Sequence, residues 1–181
     1  VFLIQIRKNS AIRNLFEPED SLSRRPQSAI LADIYHKLYQ SYSPMHWWPG
    51  ETSFEVMVGA ILTQNTSWKN VEKAIERLKE KEVLNPKGIR QLRKSTLSSL
   101  IRSSGYFRIK AERLKAFIDF LFDEYGGSIK RMKRERGGVL RRKLLDVKGI
   151  GPETADSILL YGLKKPIFVV DAYTKRILSR H

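Results

Sequence analysis

The sequence has no cysteine. Disulfides, thiolate zinc sites and iron–sulfur clusters are therefore excluded within these residues. Such an absence fits a reducing, intracellular compartment, and a cytoplasmic setting is the expectation. Long apolar runs are also lacking: none approaches the roughly 18 to 20 residues that a membrane helix needs, so a spanning protein is not expected. The apolar opening Val1-Phe2-Leu3-Ile4-Gln5-Ile6 has no basic region ahead of it and no small-residue cleavage site, so it does not read as a secretory signal. The three histidines, His36, His46 and His181, show no metal-ligand spacing with one another, and no metal site is expected. Strand signals are confined to Ile167-Phe168-Val169-Val170, too short to build a sheet without partners. Acidic charge is in deficit: 19 Asp and Glu stand against 34 Lys and Arg in 181 residues, a formal net charge of +15. That excess favours a polyanion, because each Lys or Arg set against a phosphate releases counterions and adds sequence-independent affinity. Nucleic acid is the first reading, although ribosomal and membrane-surface proteins share such a balance.

What is present is helical periodicity, and an all-α fold is predicted. With 41% hydrophobic residues the chain can bury a core. Residues 1–27 show no sustained period and read as an irregular arm. Residues 28–50 hold a first helix, with Ile30, Leu31, Ile34, Tyr35, Leu38 and Tyr39 at helical spacing behind a capping Ser28, and then a Trp-rich loop. Residues 51–163 form a helical core. Its first helix opens on a Thr52-to-Glu55 capping box, is apolar nearly all round, and ends at Gln64-Asn65-Thr66. An amphipathic helix over 67–81 follows, with Trp68, Val71, Ile75 and Leu78 inward; two short helices lead to Ser104-Gly105. A longer helix, about 107–124, carries Ile109, Leu114, Phe117, Ile118 and Leu121 and stops at Gly126-Gly127. Residues 164–181 are grouped with the first helix as a second lobe. Between Lys130 and Lys148 stand nine basic and two acidic residues, read either as a solvated face or as phosphate contacts.

The stretch from Leu144 to Leu159 reads as a helix, a tight Gly149-Ile150-Gly151 turn and a second helix. Two glycines allow positive φ and close backbone approach, Ile150 plugs the turn into the core, and Pro152 suits the first helical position. The second helix would aim its unbonded amides and positive dipole end outward, a place for a phosphate. This is a helix-hairpin-helix element.

The hairpin, followed about twenty residues later by Pro166-Ile167-Phe168-Val169-Val170-Asp171, resembles the helix-hairpin-helix and Gly-Pro-Asp signature of the endonuclease III superfamily of DNA glycosylases. Phe54 to Thr66 resembles the family's second helix and its loop, and Ser104-Gly105-Tyr106-Phe107 with Lys110-Ala111 resembles its mid-domain turn. The match runs from about Ala29 to Leu178. It implies two helical lobes with a DNA cleft between them, and double-stranded DNA with a damaged base as partner to a monomer.

In the superfamily's strand-cutting members a lysine stands two residues after the second hairpin glycine; here that position is Glu153. A carboxylate cannot form the Schiff base of lyase chemistry. Glu153 would also be at home in a first helical turn with no function at all. Together with the Trp47-Trp48-Pro49 loop and the turn before Trp68, it makes the chain look most like the branch that removes 3-methyladenine. The base pocket implied is Trp47, Trp68 and Glu153, with π faces that favour an electron-poor alkylated base. Both tryptophans could equally be core or hinge aromatics, and Trp48 reads as packing. Asp171 is the implied catalytic carboxylate, stabilising oxocarbenium character and orienting water, and is compatible with an N-cap role.

DNA contacts are implied for Gln64, as the wedge filling the gap left by a flipped nucleotide, for Gly149, Ile150, Gly151 and Thr154 in the hairpin, and for Lys110 and Lys148 at phosphates. A monovalent cation on hairpin carbonyls is a further implication, and the chemistry requires no cofactor. Many members carry a four-cysteine iron–sulfur loop after the catalytic helix; here such a cluster is expected only in a segment beyond His181. Two rivals stand beside this reading: a glycosylase of the same fold for oxidised pyrimidines or mismatched bases, and a non-catalytic DNA-binding module.

Overall fold

A computed structural model describes residues 27–42 and 48–180, and every regular element in them is helical. The expected arm over 1–27 and the residues Trp47, His46 and His181 lie outside the described side chains. The chain divides into two compact units, 1–47 and 48–181. In the first, α1 (Gln27–Tyr42) already includes Ser28, which lies within the helix. Along it Tyr35 and Tyr39 stack with ring centroids 5.8 Å apart.

The second unit is built around α2 (Ser53–Leu62), of which every residue from Phe54 to Leu62 is buried. Its start follows the predicted capping box with one change of partner. Thr52 Oγ1 accepts from Glu55 N at 3.1 Å, while the Glu55 carboxylate accepts from Glu51 N rather than from the cap residue. Buried Glu55 is neutralised by Lys79 at 3.0 Å, as a charge in a core requires. The amphipathic helix α3 (Trp68–Glu80) turns Val71, Ile75 and Leu78 onto α2. Two short helices, α4 (Pro86–Gln91) and α5 (Lys94–Leu100), pack on α6 (Phe107–Tyr125). In α6 the expected inward set holds for Leu114, Phe117, Ile118 and Leu121, which are fully buried. Ile109 departs from it and lies about half exposed; the inward place in that turn is taken by Lys110.

Next come α7 (Ile129–Arg134), α8 (Gly137–Leu145) and α9 (Pro152–Ser157), the last continuing as a π-turn over Ile158–Gly162. Leu163 N reaches back to Ile158 O at 3.0 Å, the i→i+5 bond of that wider turn. This π-turn and α9 lie against α2. The run Ile167–Val170 pairs with no strand and leads to α10 (Ala172–Leu178). Residues 164–180 belong to the same compact unit as the helical core. The tie is local: Lys165 N bonds Leu159 O at 2.9 Å, Lys165 Nζ bonds Glu135 O at 2.6 Å, and Ile167 packs on the core. Among the described residues, no helix is long and apolar enough to cross a membrane.

Candidate functional site

The charge of Asp171 reaches two groups carried by other elements, the carboxyl of Glu153 and the phenol of Tyr161. Asp171 is the N-cap of α10: its Oδ1 accepts from Thr174 N at 2.7 Å, as expected for an aspartate ahead of a helix. The cap fixes the carboxylate in place and leaves its second oxygen outside that bond. Glu153, in the first turn of α9, sits at the surface, yet its carboxyl is pushed above its ordinary range by partial burial and next by the charge of Asp171, with Lys175 opposing. Tyr161, in the π-turn, is raised by burial and again by Asp171. It stays a neutral phenol, able to donate.

An aromatic cluster adjoins this field through Tyr161. Its ring stacks on Trp48 with centroids 5.3 Å apart and 28° between planes, and Trp48 and Trp68 form a T-shaped pair at 5.6 Å and 77°. Gly59 makes room for the pair: a Cβ there would lie 3.3 Å from Trp48 Nε1 and 3.5 Å from the Trp68 ring. Trp48 is thus engaged by two rings, which fits the packing role read from sequence. Trp68 and Tyr161, both partly exposed, offer the aromatic surface beside it. Nothing in the sequence marks Tyr161, because a lone tyrosine before Gly162 carries no motif; its placement depends on the π-turn.

The hairpin forms as predicted, with one refinement. Gly149 alone has positive φ, at 85°, whereas Gly151 is extended at φ −88° and ψ 177°. A Cβ on Gly151 would meet nothing within 4 Å, so that position leaves the turn open to close approach from outside. Ile150 is buried, and Ala155 N bonds Gly151 O at 2.9 Å to start α9. The two hairpin helices are clamped by a two-bond pair, Arg141 Nε to Asp156 Oδ1 at 2.7 Å and Arg141 Nη2 to Asp156 Oδ2 at 3.1 Å.

Gln64, in the loop after α2, is tied to the hairpin. Its Nε2 donates to Gly149 O at 3.1 Å and to Thr154 Oγ1 at 2.9 Å, and its Oε1 accepts from Arg113 Nη1. Thr154 is correspondingly buried. Lys148 is exposed beside the hairpin and lies in the field of Glu112.

The expectation that Lys110 meets a phosphate is overturned. Lys110 is fully buried, and its Nζ donates to Leu62 O at 2.8 Å and Ser104 O at 2.5 Å. The last carbonyls of α2 have no intrahelical donor, and this ammonium supplies one. Burial, helped by the charge of Arg113, lowers its pKa to about 8.

The basic run divides in two. Arg141 pairs with Asp156, and Lys143 pairs with Glu124 at 2.7 Å and with Glu135 at 3.4 Å. Lys130, Arg131, Lys133, Arg134, Arg136, Arg142 and Lys148 are exposed. Among the described residues, no group of three His, Asp or Glu could hold a metal ion.

The chain is similar to known proteins. Residues 58–181 match the sequence profile of the HhH-GPD superfamily base excision DNA repair proteins. A Methanocaldococcus jannaschii protein, provisionally named a DNA repair glycosylase, is 49% identical over 83% of this chain and 69% of its own length. Endonuclease III of Thermotoga maritima is 34% identical over 70% of this chain, which spans 55% of it. Among solved structures, H. pylori 3-methyladenine DNA glycosylase MagIII bound to 1,N6-ethenoadenine superposes with a TM-score of 0.73 at 35% identity, over 84% of this chain and 72% of that one. A non-covalent endonuclease III–DNA complex, at 22% identity and TM-score 0.70, shares the fold.

Proposed function

The chain belongs to the HhH-GPD superfamily of base excision DNA repair proteins, and from that premise we propose that it is a monofunctional DNA glycosylase that removes an alkylated adenine from double-stranded DNA. The observation that carries the reading is Glu153 at the lysine's place, in the field of Asp171. It supplies a carboxyl where strand-cutting members need an amine, so hydrolysis by water replaces Schiff-base chemistry.

The steps follow from charge. The hairpin turn meets the backbone, and the damaged nucleotide leaves the stack at a cost of a few kcal/mol, less for a weakly paired base. An alkylated adenine is electron-poor and favours aromatic surface, here Trp68 and Tyr161 around Trp48. Its cationic character also favours the anionic field of Asp171 and Glu153. As the glycosidic bond stretches, positive charge grows on the deoxyribose and the capped Asp171 carboxylate stabilises it. Asp171 then takes a proton from the water that adds to C1′. The base leaves without an acid's help, and the products are a free base and an intact strand with an abasic site.

A monovalent cation could sit on the hairpin carbonyls. Val147 O accepts from Ile150 N and Gly149 O from Gln64, and each keeps a second lone pair for an ion that would add positive charge beside a phosphate.

The test is base release from oligonucleotides carrying 3-methyladenine, thymine glycol, uracil or a T·G mismatch, with and without alkali. Release of methylated adenine, with strand breaks only after alkali, is the expected result. Breaks without alkali would overturn the monofunctional reading, and release of thymine glycol or uracil instead would overturn the lesion. No release of any base would leave a DNA-binding module.

A further inference from the structure

The Gln64 side chain joins two regions for which the family resemblance implies DNA contacts, its own loop and the hairpin, and a third element decides how it does so. A glutamine amide has one acceptor atom and one two-hydrogen donor. Its donor is spent on Gly149 O and Thr154 Oγ1, both in the hairpin. Its acceptor is spent on Arg113, from the second turn of α6. The reverse flip would set Oε1 against the Gly149 carbonyl and the NH2 group against a guanidinium, two repulsions in place of two bonds. Arg113 therefore selects the orientation that reaches the hairpin.

The same residue also holds the turn through its stem. A Cβ on Gly149 would lie 2.7 Å from Arg113 Cδ and 2.9 Å from Nε, and would overlap Cγ. Position 149 is thus a glycine for two independent reasons, a φ of 85° and the Arg113 methylenes lying across it. Arg113 is half-buried, unlike Lys148 beside the turn, which is exposed.

We propose that Arg113 is a positioning residue for DNA engagement, which locks Gln64 and the hairpin turn into one unit through a bond to the Gln64 amide and an apolar stem over Gly149. The proposal rests on the reading that the hairpin grips a backbone phosphate and that Gln64 enters the duplex. Its consequence is that hairpin and wedge bind as a preorganised pair, so removing Arg113 lowers affinity through Gln64 and not through its own charge.

The experiment uses the full chain, with Arg113→Met, which keeps the stem and removes the fork, Gln64→Ala, and the double variant. The probe is a labelled duplex with a non-cleavable tetrahydrofuran abasic site, titrated at several salt concentrations. Arg113→Met is expected to weaken binding about 10-fold, as removal of one charge-assisted bond would. The double variant should bind no worse than the weaker single one, with the salt slope unchanged. Additive effects would overturn the proposal. So would a slope smaller by about one, which would make Arg113 a phosphate ligand.

Hydrogen exchange over Gly149 to Thr154 in the DNA-free protein should quicken in both single variants; unchanged exchange would also sink the clamp. That second readout needs no DNA. A wild-type chain that binds no duplex would overturn the functional reading, and exchange would still report separately on the clamp.

Discussion

At the residue scale, the site is a case of one side chain serving two purposes. Asp171 caps α10 and presents a carboxylate, and the first duty makes the second geometrically reliable. Asn caps a helix about as well as Asp, so Asp171→Asn should leave the unfolding free energy nearly unchanged. Base release should fall at least about 100-fold once the negative charge is gone, with duplex affinity retained. Turnover near wild type would remove Asp171 from the reaction, and loss of folding would contradict the exchange of one cap for another.

Lys110 shows the converse, a charged residue whose work is internal. Its folded pKa of about 8 lies below the ordinary lysine value of 10.5, since burial disfavours the ammonium. Between those values the unfolded chain binds a proton that the folded chain does not, so this group's contribution to stability rises with pH across that window. Below about pH 8 it is constant. Lys110→Met should lack the rise, seen as a difference between the two unfolding profiles. It should also cost about 1–3 kcal/mol at neutral pH, because Leu62 O and Ser104 O lose their donor.

At the scale of elements, the hairpin separates stability from recognition within three residues. Gly149→Ala forces a Cβ into a left-handed backbone and into Arg113, and should cost on the order of 1–3 kcal/mol in chemical denaturation. Gly151→Ala meets open space at an ordinary φ, so stability should hardly change. Duplex affinity should drop instead, since the methyl stands where a phosphate would approach. Equal effects of the two on stability would contradict this division. The π-turn works at the same scale: widening one turn after α9 carries Tyr161 to Trp48 and into the field of Asp171. Such turns recur at functional sites because they re-aim a side chain without breaking the helix.

Across the whole molecule, net charge and exposed charge differ. Pairing removes Arg141 and Lys143 from the basic run, while α7 keeps Lys130, Lys133 and Arg134 in solvent. Replacing those three with Gln should leave the fold intact and weaken duplex binding alike for all sequences. The salt slope should shrink by about 0.9 for each phosphate that no longer has a cation against it. An unchanged slope would assign this face to solubility alone.

Much of this was determined by the sequence itself, wherever the cause is local. The all-α class follows from the 3.6-residue period, the start of α2 from Thr52 and Glu55, the cap of α10 from Asp171, and the hairpin from Gly149-Ile150-Gly151 with Pro152. Each needs only neighbours a few residues away. Tertiary structure decided the rest. Lys110 and Ile109 exchange places because the end of α2 presents carbonyls there, and a buried carbonyl needs a donor more than the core needs another methyl. Arg113 is one of 34 basic residues in the sequence, and nothing in its neighbours sets it apart. What gives it a role is that α6 passes beside both Gln64 and Gly149, residues 49 and 36 positions away in the chain, and only packing sets distances between elements so far apart.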